Sequence, residues 1–166
     1  MCTLRNFPNQ IEHCIEWGRD LFNKLFVDTP NDAAGFIEKP QAFVAKLKQN
    51  TTISGVRSQM EEIKKIVDLK KSADFQKCVE VAREYFDGYF TNQILNLLHI
   101  FPHDHRDSSG HLFWSGPKRA PNPVYFNPKD PLHVHFVTAC ANLIAFNLGI
   151  HQSKDSNSIA SRAAAT

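Results

Sequence analysis

The chain has 166 residues, of which 42% are hydrophobic and 22% are charged. This length and apolar content suffice for one globular domain with its own core, and they exclude a disordered tail or a miniprotein. Nineteen Lys and Arg against seventeen Asp and Glu give a net charge of +2, which indicates neither a nucleic-acid nor a membrane-surface partner. Apolar runs fall short of the roughly 20 residues that span a bilayer, so we expect a soluble, intracellular protein.

The apolar residues of the first fifty positions recur with the period of an amphipathic helix. A long helix is predicted over 11–26, which begins after Pro8 and ends at the polar cluster 28–32. Two shorter helices are predicted within 32–50, and Pro40 divides them because proline is tolerated in the first turn of a helix.

The next fifty residues predict a helix from Val56 and a second helix capped by Ser72 or Asp74. The basic run of the first helix is interpreted as its solvated face, and it consists of Lys64, Lys65, Lys70 and Lys71. The aromatic stripe over 75–90 is predicted to form the centre of the core. A bend is expected at Gly88, before a short continuation that Pro102 closes.

A proline-rich stretch separates these helices from the last one. Residues 102–130 cannot be helical throughout, and the runs 112–114 and 124–126 are compatible with a short β-ribbon. We expect Trp114 to anchor this insert on the helices. A final core helix is predicted from Pro131, with Gly149 as its C-terminal cap.

The prediction is therefore a mainly α, multi-helix domain with a Pro-rich irregular insert. Residues 1–150 form this domain, and the short β-ribbon stays open as an alternative within the insert. Residues 151–166 are rich in Ser and Ala, with almost no large apolar side chains. They are interpreted as a flexible linker or tail that leads out of the domain.

The four cysteines are widely separated, form no C-x-x-C pair and are expected to be reduced. Cys14, Cys78 and Cys140 are interpreted as small buried hydrophobes. Cys2 has neighbours that can favour a thiolate, since a helix start lies downstream and Arg5 is close in sequence. The alternative from the residues alone is an incidental cysteine beside Met1.

Two neighbours of Cys2 carry groups that can stabilise a developing negative charge. Thr3 can donate a hydrogen bond to a developing oxyanion, and Asn6 can do the same or cap the helix. His13 can serve as a general base, although packing is its commoner use. An acid at a suggestive spacing is missing, so the sequence does not support a papain-like hydrolase.

The remaining patterns favour neither a metal nor a bound nucleotide. The two H-x-H pairs, His103/His105 and His133/His135, are poor evidence for a metal site, because this spacing places both rings on one face only in a strand. His133 and His135 fall in the first turn of a predicted helix, and the cysteines lack metal-ligand spacing. Neither a G-x-x-x-x-G-K-[ST] nor a G-x-G-x-x-G motif occurs in the chain. We therefore expect no metal and no cofactor in this domain.

The opening thirteen residues, Met-Cys-Thr-Leu-Arg-Asn-Phe-Pro-Asn-Gln-Ile-Glu-His, resemble the segment around the catalytic cysteine of eukaryotic ubiquitin-activating enzymes. The resemblance continues in segments that reach Ile150, and Thr29 to Ser72 match only in general helical pattern. These segments are Glu16 to Asp20, Leu97 to Pro102, Phe113 to Pro121, Pro131 to Leu143 and Asn147 to Ile150.

The resemblance implies the second catalytic cysteine half-domain of such an enzyme, a helical module beside the adenylation domain of the same chain. In that family, ATP and Mg²⁺ serve to adenylate ubiquitin, whose acyl group passes to the domain's cysteine and then to a ubiquitin-conjugating enzyme. Cys2 would be the thioester nucleophile, with Thr3, Arg5 and Asn6 in support. The family is cytoplasmic and nuclear, and an excised domain is expected to be inactive alone.

Three alternatives stay open at this point. The domain could serve another ubiquitin-like modifier, it could be an interaction platform with an idle thiol, or it could be a thiol hydrolase. A thioester carrier needs only an accessible cysteine, because the adenylate supplies the driving force, whereas a hydrolase also needs an acid and a base.

Overall fold

Helices make up most of the part of the chain that the structure describes, which is residues 10–50, 52–72 and 74–166 of this computed structural model. Its α-helices are α1 (Ile11–Asn23), α2 (Thr29–Glu38), α3 (Pro40–Asn50), α4 (Ile53–Ser72), α5 (Phe75–Phe86), α6 (Gln93–Ile100), α7 (Pro131–Leu148) and α8 (Ser156–Ala164). Two π-helical turns join neighbouring helices without a break, Lys24–Asp28 and Asp87–Asn92. The mainly α prediction is confirmed.

The core lies between α5 and α7, with α8 packed against both. Its buried residues are Cys78, Val79, Ala82 and Phe86 from α5, Val137, Cys140, Ala141, Ile144 and Ala145 from α7, and Ile159 and Ala163 from α8. The stripe over 75–90 therefore contributes the centre of the core through Cys78, Val79, Ala82 and Phe86, and its Phe75, Tyr85 and Phe90 are partly buried around that centre. Phe86 contacts the rings of Phe126 and Phe136, which tie the insert and α7 to α5.

The long first helix does not end at the polar cluster 28–32, so that prediction is wrong. The chain passes through the first π-helical turn into α2, with Pro30 in the first turn of α2. Pro30 has no N–H for the carbonyl of Phe26, and this carbonyl accepts a hydrogen bond from Asn147 Nδ2 at 3.0 Å instead. Thr29 Oγ1 donates to the carbonyl of Lys24 at 2.8 Å. Both bonds satisfy carbonyls at the irregular turn.

The division at Pro40 is confirmed, and α2, α3 and α4 pack together as a lobe beside the core. Ala33, Leu47 and Ile63 are buried in this lobe. Gln59 Nε2 donates to Asp32 Oδ2 at 2.6 Å and so joins α4 to α2. The basic run on α4 is exposed to solvent, as predicted.

The predicted helix caps are present. Asp74 Oδ1 accepts from the backbone N–H of Lys77 at 2.9 Å, so Asp74 and not Ser72 caps α5. Asp130 Oδ1 accepts from the N–H of Leu132 at 2.9 Å at the start of α7. Gly149 ends α7 with φ of 73°, a left-handed conformation that favours glycine.

The insert does not contain the β-ribbon that the sequence left open. Val124 pairs instead with the second π-helical turn, where its N–H donates to the carbonyl of Phe90 at 2.8 Å. Its own carbonyl accepts from Thr91 Oγ1 at 2.5 Å. Arg106 and Leu112 form an isolated antiparallel bridge. The runs 112–114 and 124–126 therefore find partners other than each other.

The interpretation of residues 151–166 as a flexible linker is wrong. Asp155 Oδ1 accepts from the N–H of Ser158 at 3.1 Å and begins α8, whose Ile159 is only 1% exposed. Asn142 of α7 brackets Ser153 with two hydrogen bonds, one to its carbonyl at 2.8 Å and one from its N–H at 2.9 Å. Small residues allow this helix to lie close to α5 and α7, so a segment poor in large apolar side chains still joins the core.

By length and composition, α7 is the one helix of the described residues that could cross a membrane, which the sequence analysis did not recognise. It contains no Asp, Glu, Lys or Arg. One face is nevertheless buried in this fold by α5 and α8.

Replacing Ile159 by Ala tests whether α8 belongs to the domain. We expect the free energy of unfolding to fall by about 2–4 kcal/mol, because the change leaves a cavity in the core. Urea denaturation followed by circular dichroism measures this loss. Ser161→Ala on the exposed side of α8 should change stability by less than about 0.5 kcal/mol. Equal midpoints for the wild type and Ile159→Ala would contradict the packing of α8.

Trp114 does anchor the insert, since its Nε1–H reaches the carbonyls of Phe101 at 2.9 Å and Pro102 at 3.1 Å. The ring is half-buried, so Trp114→Ala should cost about 2 kcal/mol, less than the 3–5 kcal/mol of a fully buried aromatic. The matched control is Tyr125→Ala, since that ring in the same insert is 66% exposed. A larger loss for the control in thermal unfolding would contradict this assignment.

Candidate functional site

The predicted site residues Cys2, Thr3, Arg5 and Asn6 lie outside the described residues. The described chain begins at Gln10, which precedes α1 in an extended conformation and makes no side-chain cap bond. Glu12 adds a carboxylate to the first turn of α1. The N-terminal N–H groups of α1 therefore have no side-chain partner from Gln10, and they give this end of the helix a partial positive charge.

The other three cysteines differ in their exposure and acidity. Cys78 and Cys140 are buried between α5 and α7, as predicted, whereas Cys14 is exposed on α1, contrary to its interpretation as a buried hydrophobe. The reason is its position in the first turns of α1, ahead of the half-buried Leu21 and the buried Leu25. Burial raises the pKa of Cys140 to about 12 and also raises that of Cys78. These two thiols stay neutral at physiological pH and are not nucleophiles there.

A cleft of about 380 Å³ lies along α1, on the side opposite the exposed Ile11 and Ile15. It is lined by His13, Glu16, Trp17, Asp20, Leu21, Lys24 and Tyr89. The ring of Trp17 meets that of Tyr89 edge-on with centroids 6.1 Å apart, which holds α1 against the second π-helical turn. His13 is half-buried in this cleft, so it is both a packing residue and part of a surface that solvent reaches.

A larger groove of about 910 Å³ continues from this cleft between α4 and α5. Lys24 and Tyr89 line both. The apolar floor of the groove consists of Leu25, Ile66, Leu69, Val81, Tyr85 and Tyr89. A groove of this size with an apolar floor can hold a peptide segment or a helix.

The rims of the groove carry charges that mostly pair along their own helices. Lys64 binds Asp68 at 2.6 Å, and Lys65 binds Glu62 at 2.7 Å. Burial raises the pKa of Tyr85 to about 12, and the charge of Glu62 contributes to this shift. The phenol of Tyr85 is therefore neutral at physiological pH and can act in the groove as a hydrogen-bonding group, not as a base.

One histidine of each pair serves packing or local hydrogen bonds. His133 Nδ1 accepts from the N–H of Asn127 at 3.0 Å, and its ring lies 4.8 Å from that of Phe86. His105 packs edge-on against Phe101 and Phe113. Over residues 10–50, 52–72 and 74–166, no three His, Cys, Asp or Glu side chains are grouped as ligands for a metal ion.

With this geometry in place, comparison with protein families identifies the chain. The family model described as "Ubiquitin-activating enzyme, SCCH domain" matches residues 8–166. The chain belongs to this family. The match also covers residues 151–166, which agrees with the packing of α8 on the core.

Curated relatives agree with the family model. Ubiquitin-like modifier-activating enzyme 1 of Dictyostelium discoideum is 43% identical over 150 residues, which are 90% of this chain and 14% of that protein. Ubiquitin-activating enzyme E1 1 of Schizosaccharomyces pombe is 41% identical over 93% of this chain and 15% of its own length. The human ubiquitin-like modifier-activating enzyme 1 is 36% identical over 96% of this chain and 15% of its own. The SCCH domain chain thus spans about one seventh of these relatives.

The sequence analysis did not predict the groove and the cleft. Tyr85 and Tyr89 were assigned to the core with the rest of the aromatic stripe, whereas they line surfaces that solvent reaches. The available signal was the phenol hydroxyl, since a tyrosine at the edge of an apolar stripe keeps one polar end near water. The partner helix α4 could not be assigned to this groove from a local pattern.

The thiols of the SCCH domain should react in a fixed order. Cys14 should be alkylated by iodoacetamide in the native domain, whereas Cys78 and Cys140 should react only after unfolding, because burial excludes the reagent and holds the thiol neutral. Peptide mass spectrometry of native and urea-unfolded samples at pH 8 measures each site. Native labelling of Cys140 at the rate of Cys14 would contradict the core packing.

Proposed function

We propose that this SCCH domain is the catalytic-cysteine domain of a ubiquitin-activating enzyme and that Cys2 is its thioester nucleophile. Cys2 accepts ubiquitin from ubiquitin adenylate and passes it to the cysteine of a ubiquitin-conjugating enzyme. The family match over residues 8–166 carries this proposal. The motif from Met1 to His13, which resembles the segment around the family's catalytic cysteine, assigns the nucleophile.

The properties of the other thiols support the assignment of Cys2 as the nucleophile. Burial raises the pKa values of Cys78 and Cys140, so neither supplies a thiolate at physiological pH. Cys14 is an exposed thiol, but it does not occupy the cysteine position of the motif from Met1 to His13. Cys2 precedes α1 in sequence, and a helix N-terminus close to a thiol favours its thiolate.

The proposed reaction has two acyl transfers. The Cys2 thiolate attacks the carbonyl carbon of the adenylated glycine, a carbon–sulfur bond forms, and the carbon–oxygen bond to AMP breaks. The conjugating enzyme's thiolate then attacks the thioester carbonyl and releases Cys2 as a thiolate. The adenylate supplies the driving force of the first transfer, so this domain requires no acid–base pair for it.

Three neighbours of Cys2 can support these transfers. Arg5 can stabilise the thiolate by its positive charge, and Thr3 and Asn6 can donate hydrogen bonds to the tetrahedral oxyanion. A helix N-terminus within about one turn of the thiol would act in the same direction.

The remaining components lie elsewhere in the proposed enzyme. ATP and Mg²⁺ bind to the adenylation domain of the same polypeptide. The SCCH domain itself holds no cofactor. Its partners are ubiquitin, ubiquitin-conjugating enzymes and that adenylation domain, in the cytoplasm and nucleus. Neither a nucleic acid nor a membrane is a partner. The groove between α4 and α5 gives the alternative of a docking module its physical basis.

The test places this chain in the Dictyostelium relative, in exchange for the 150 residues that it matches. We expect the chimera to form a ubiquitin adduct that needs ATP and is cleaved by thiols, and we expect Cys2→Ala to abolish it, since no other group accepts the acyl chain. Non-reducing gels measure the adduct. ATP–pyrophosphate exchange with ubiquitin measures adenylation, which Cys2→Ala should retain.

Two further variants sharpen the assay. Cys14→Ala is the matched control, because it removes the exposed thiol on α1 and should leave loading unchanged. Cys2→Ser should yield an adduct that resists thiols, since an oxyester replaces the thioester. An adduct that persists in Cys2→Ala would reject Cys2 and favour the docking module. Loading of another ubiquitin-like modifier in place of ubiquitin would reassign the substrate.

A further inference from the structure

The lobe of α2, α3 and α4 has a buried centre of its own. Ala33, Leu47 and Ile63 are buried within it, apart from the cluster of buried residues that α5, α7 and α8 form. Gln59 adds a hydrogen bond from α4 to Asp32 of α2. The lobe therefore keeps its shape through contacts among its own helices.

Few contacts join the lobe to the core. Among the described residues, every hydrogen bond and ion pair of the side chains over 29–72 has its partner within the lobe, except the bond from Thr29 to the carbonyl of Lys24. Leu69 is the one apolar side chain of the described lobe that packs against the core cluster. Helices α4 and α5 scarcely touch, although they follow each other in sequence. The boundary between lobe and core is therefore largely the open groove.

The chain enters the lobe through the first π-helical turn and leaves it at the junction of α4 and α5. These two links lie at opposite ends of the groove. Lys24 and Tyr89 line one end, where the groove meets the cleft along α1, and Ser72 and Lys77 line the other. The two ends are about 18 Å apart along α5 and the turn that follows it. An axis through both links therefore runs along the groove, and rotation about it moves the charged rims most.

The first link favours bending at a defined place. Asn147 Nδ2 holds the carbonyl of Phe26 at 3.0 Å, so the chain is fixed to the core as far as Phe26. Pro30 lacks the N–H that would brace the next turn, and Thr29 provides one side-chain bond there instead, to the carbonyl of Lys24. Helices bend at prolines and at π-helical turns. The lobe can therefore rotate at this link without releasing Phe26.

The two walls of the groove are complementary to each other. Along α4, Asp68 and Lys65 lie about 8 Å and about 12 Å from the junction, and along α5, Lys77 and Glu84 lie about 6 Å and about 17 Å from it. Each acid thus has a base of the other wall within reach of these long side chains. The ion pairs that three of these residues make along their own helices are exposed, contribute little and can exchange.

We propose that the lobe is a clamp, which rotates about its two links and closes the α4 wall of the groove onto the α5 wall. The structure shows the open form. Closure removes the apolar floor from water and pairs Lys65 with Glu84 and Asp68 with Lys77. The same movement removes the surface on which a docked segment would lie, so the lobe controls access to the groove. The inference rests on the fold, so it stands or falls independently of Cys2 and of ubiquitin loading.

A disulfide across the rims tests the clamp. The chain carries Lys65→Cys and Glu84→Cys together with Cys2→Ala and Cys14→Ala, so the other described thiols are buried. Molecular oxygen with copper–phenanthroline oxidises two thiols to a disulfide, which forms only when their Cα atoms approach within about 7 Å. We expect an intramolecular disulfide, because closure brings the rims together. Non-reducing gels and peptide mass spectrometry identify it.

The matched control combines Glu84→Cys with Lys70→Cys. Lys70 is exposed on α4 and nearer to the junction than Lys65, but it does not line the groove. The rim pair should form its disulfide at least about tenfold faster than the control pair. Equal rates would indicate general unfolding of the lobe, and a rim pair that stays reduced would show that the groove does not close. Either result would overturn the proposal. Circular dichroism checks that both variants keep their helices.

A distance measurement needs no trapped state. Spin labels at Lys48→Cys of α3 and Ser161→Cys of α8, which are exposed sites, report the separation of lobe and core by double electron–electron resonance. With Cys2→Ala and Cys14→Ala in place, we expect two distances, one for each state. The control pair, Lys129→Cys and Ser161→Cys, should give one narrow distance. One narrow distance for both pairs would show that the lobe is fixed and would overturn the clamp.

Discussion

The contact between α5 and α7 determines the rest of this fold. Small residues on the two helices, including Ala82, Ala141 and Ala145, are fully buried and allow the backbones to approach closely. The remaining elements attach to this pair. The ring of Phe86 contacts that of Phe126 in the insert, and α8 packs against both helices. Asn147 donates a hydrogen bond to the first π-helical turn. A change that separates α5 from α7 would therefore detach several elements at once.

Arg83 shows how the insert depends on this pair. Its guanidinium pairs with Asp87 one turn later on the same helical segment and lies 4.6 Å from the centroid of Phe126. The side chain is only 18% exposed, so its charge is largely shielded from water and is balanced by Asp87 and by the face of the ring. A charged residue on α5 thereby helps to hold an irregular segment that has little secondary structure of its own.

Local signals in the sequence predicted the local features. Asp130, Pro131 and Gly149 located both ends of α7, because capping depends on adjacent residues. The polar cluster 28–32 wrongly predicted the end of the first helix. Asn147, more than a hundred residues away, satisfies the carbonyl that Pro30 leaves without a partner. Residues 151–166 were predicted to be a linker because they contain few large apolar side chains. Alanines bury less area than leucines, but closely packed alanines still form part of a core. For the site, a continuous motif indicated Cys2, whereas the groove depends on two helices that no motif brings together.

The core and the proposed chemistry place opposite demands on cysteine. Between α5 and α7, Cys78 and Cys140 serve as small apolar residues, and burial raises their pKa values. A thioester acceptor needs a thiolate that an adenylate and a second enzyme can reach. A packed helix pair cannot satisfy both demands at one position, because the exclusion of water that stabilises the thiol also excludes the substrate. Any reactive thiol of this domain therefore has to lie away from the packed pair.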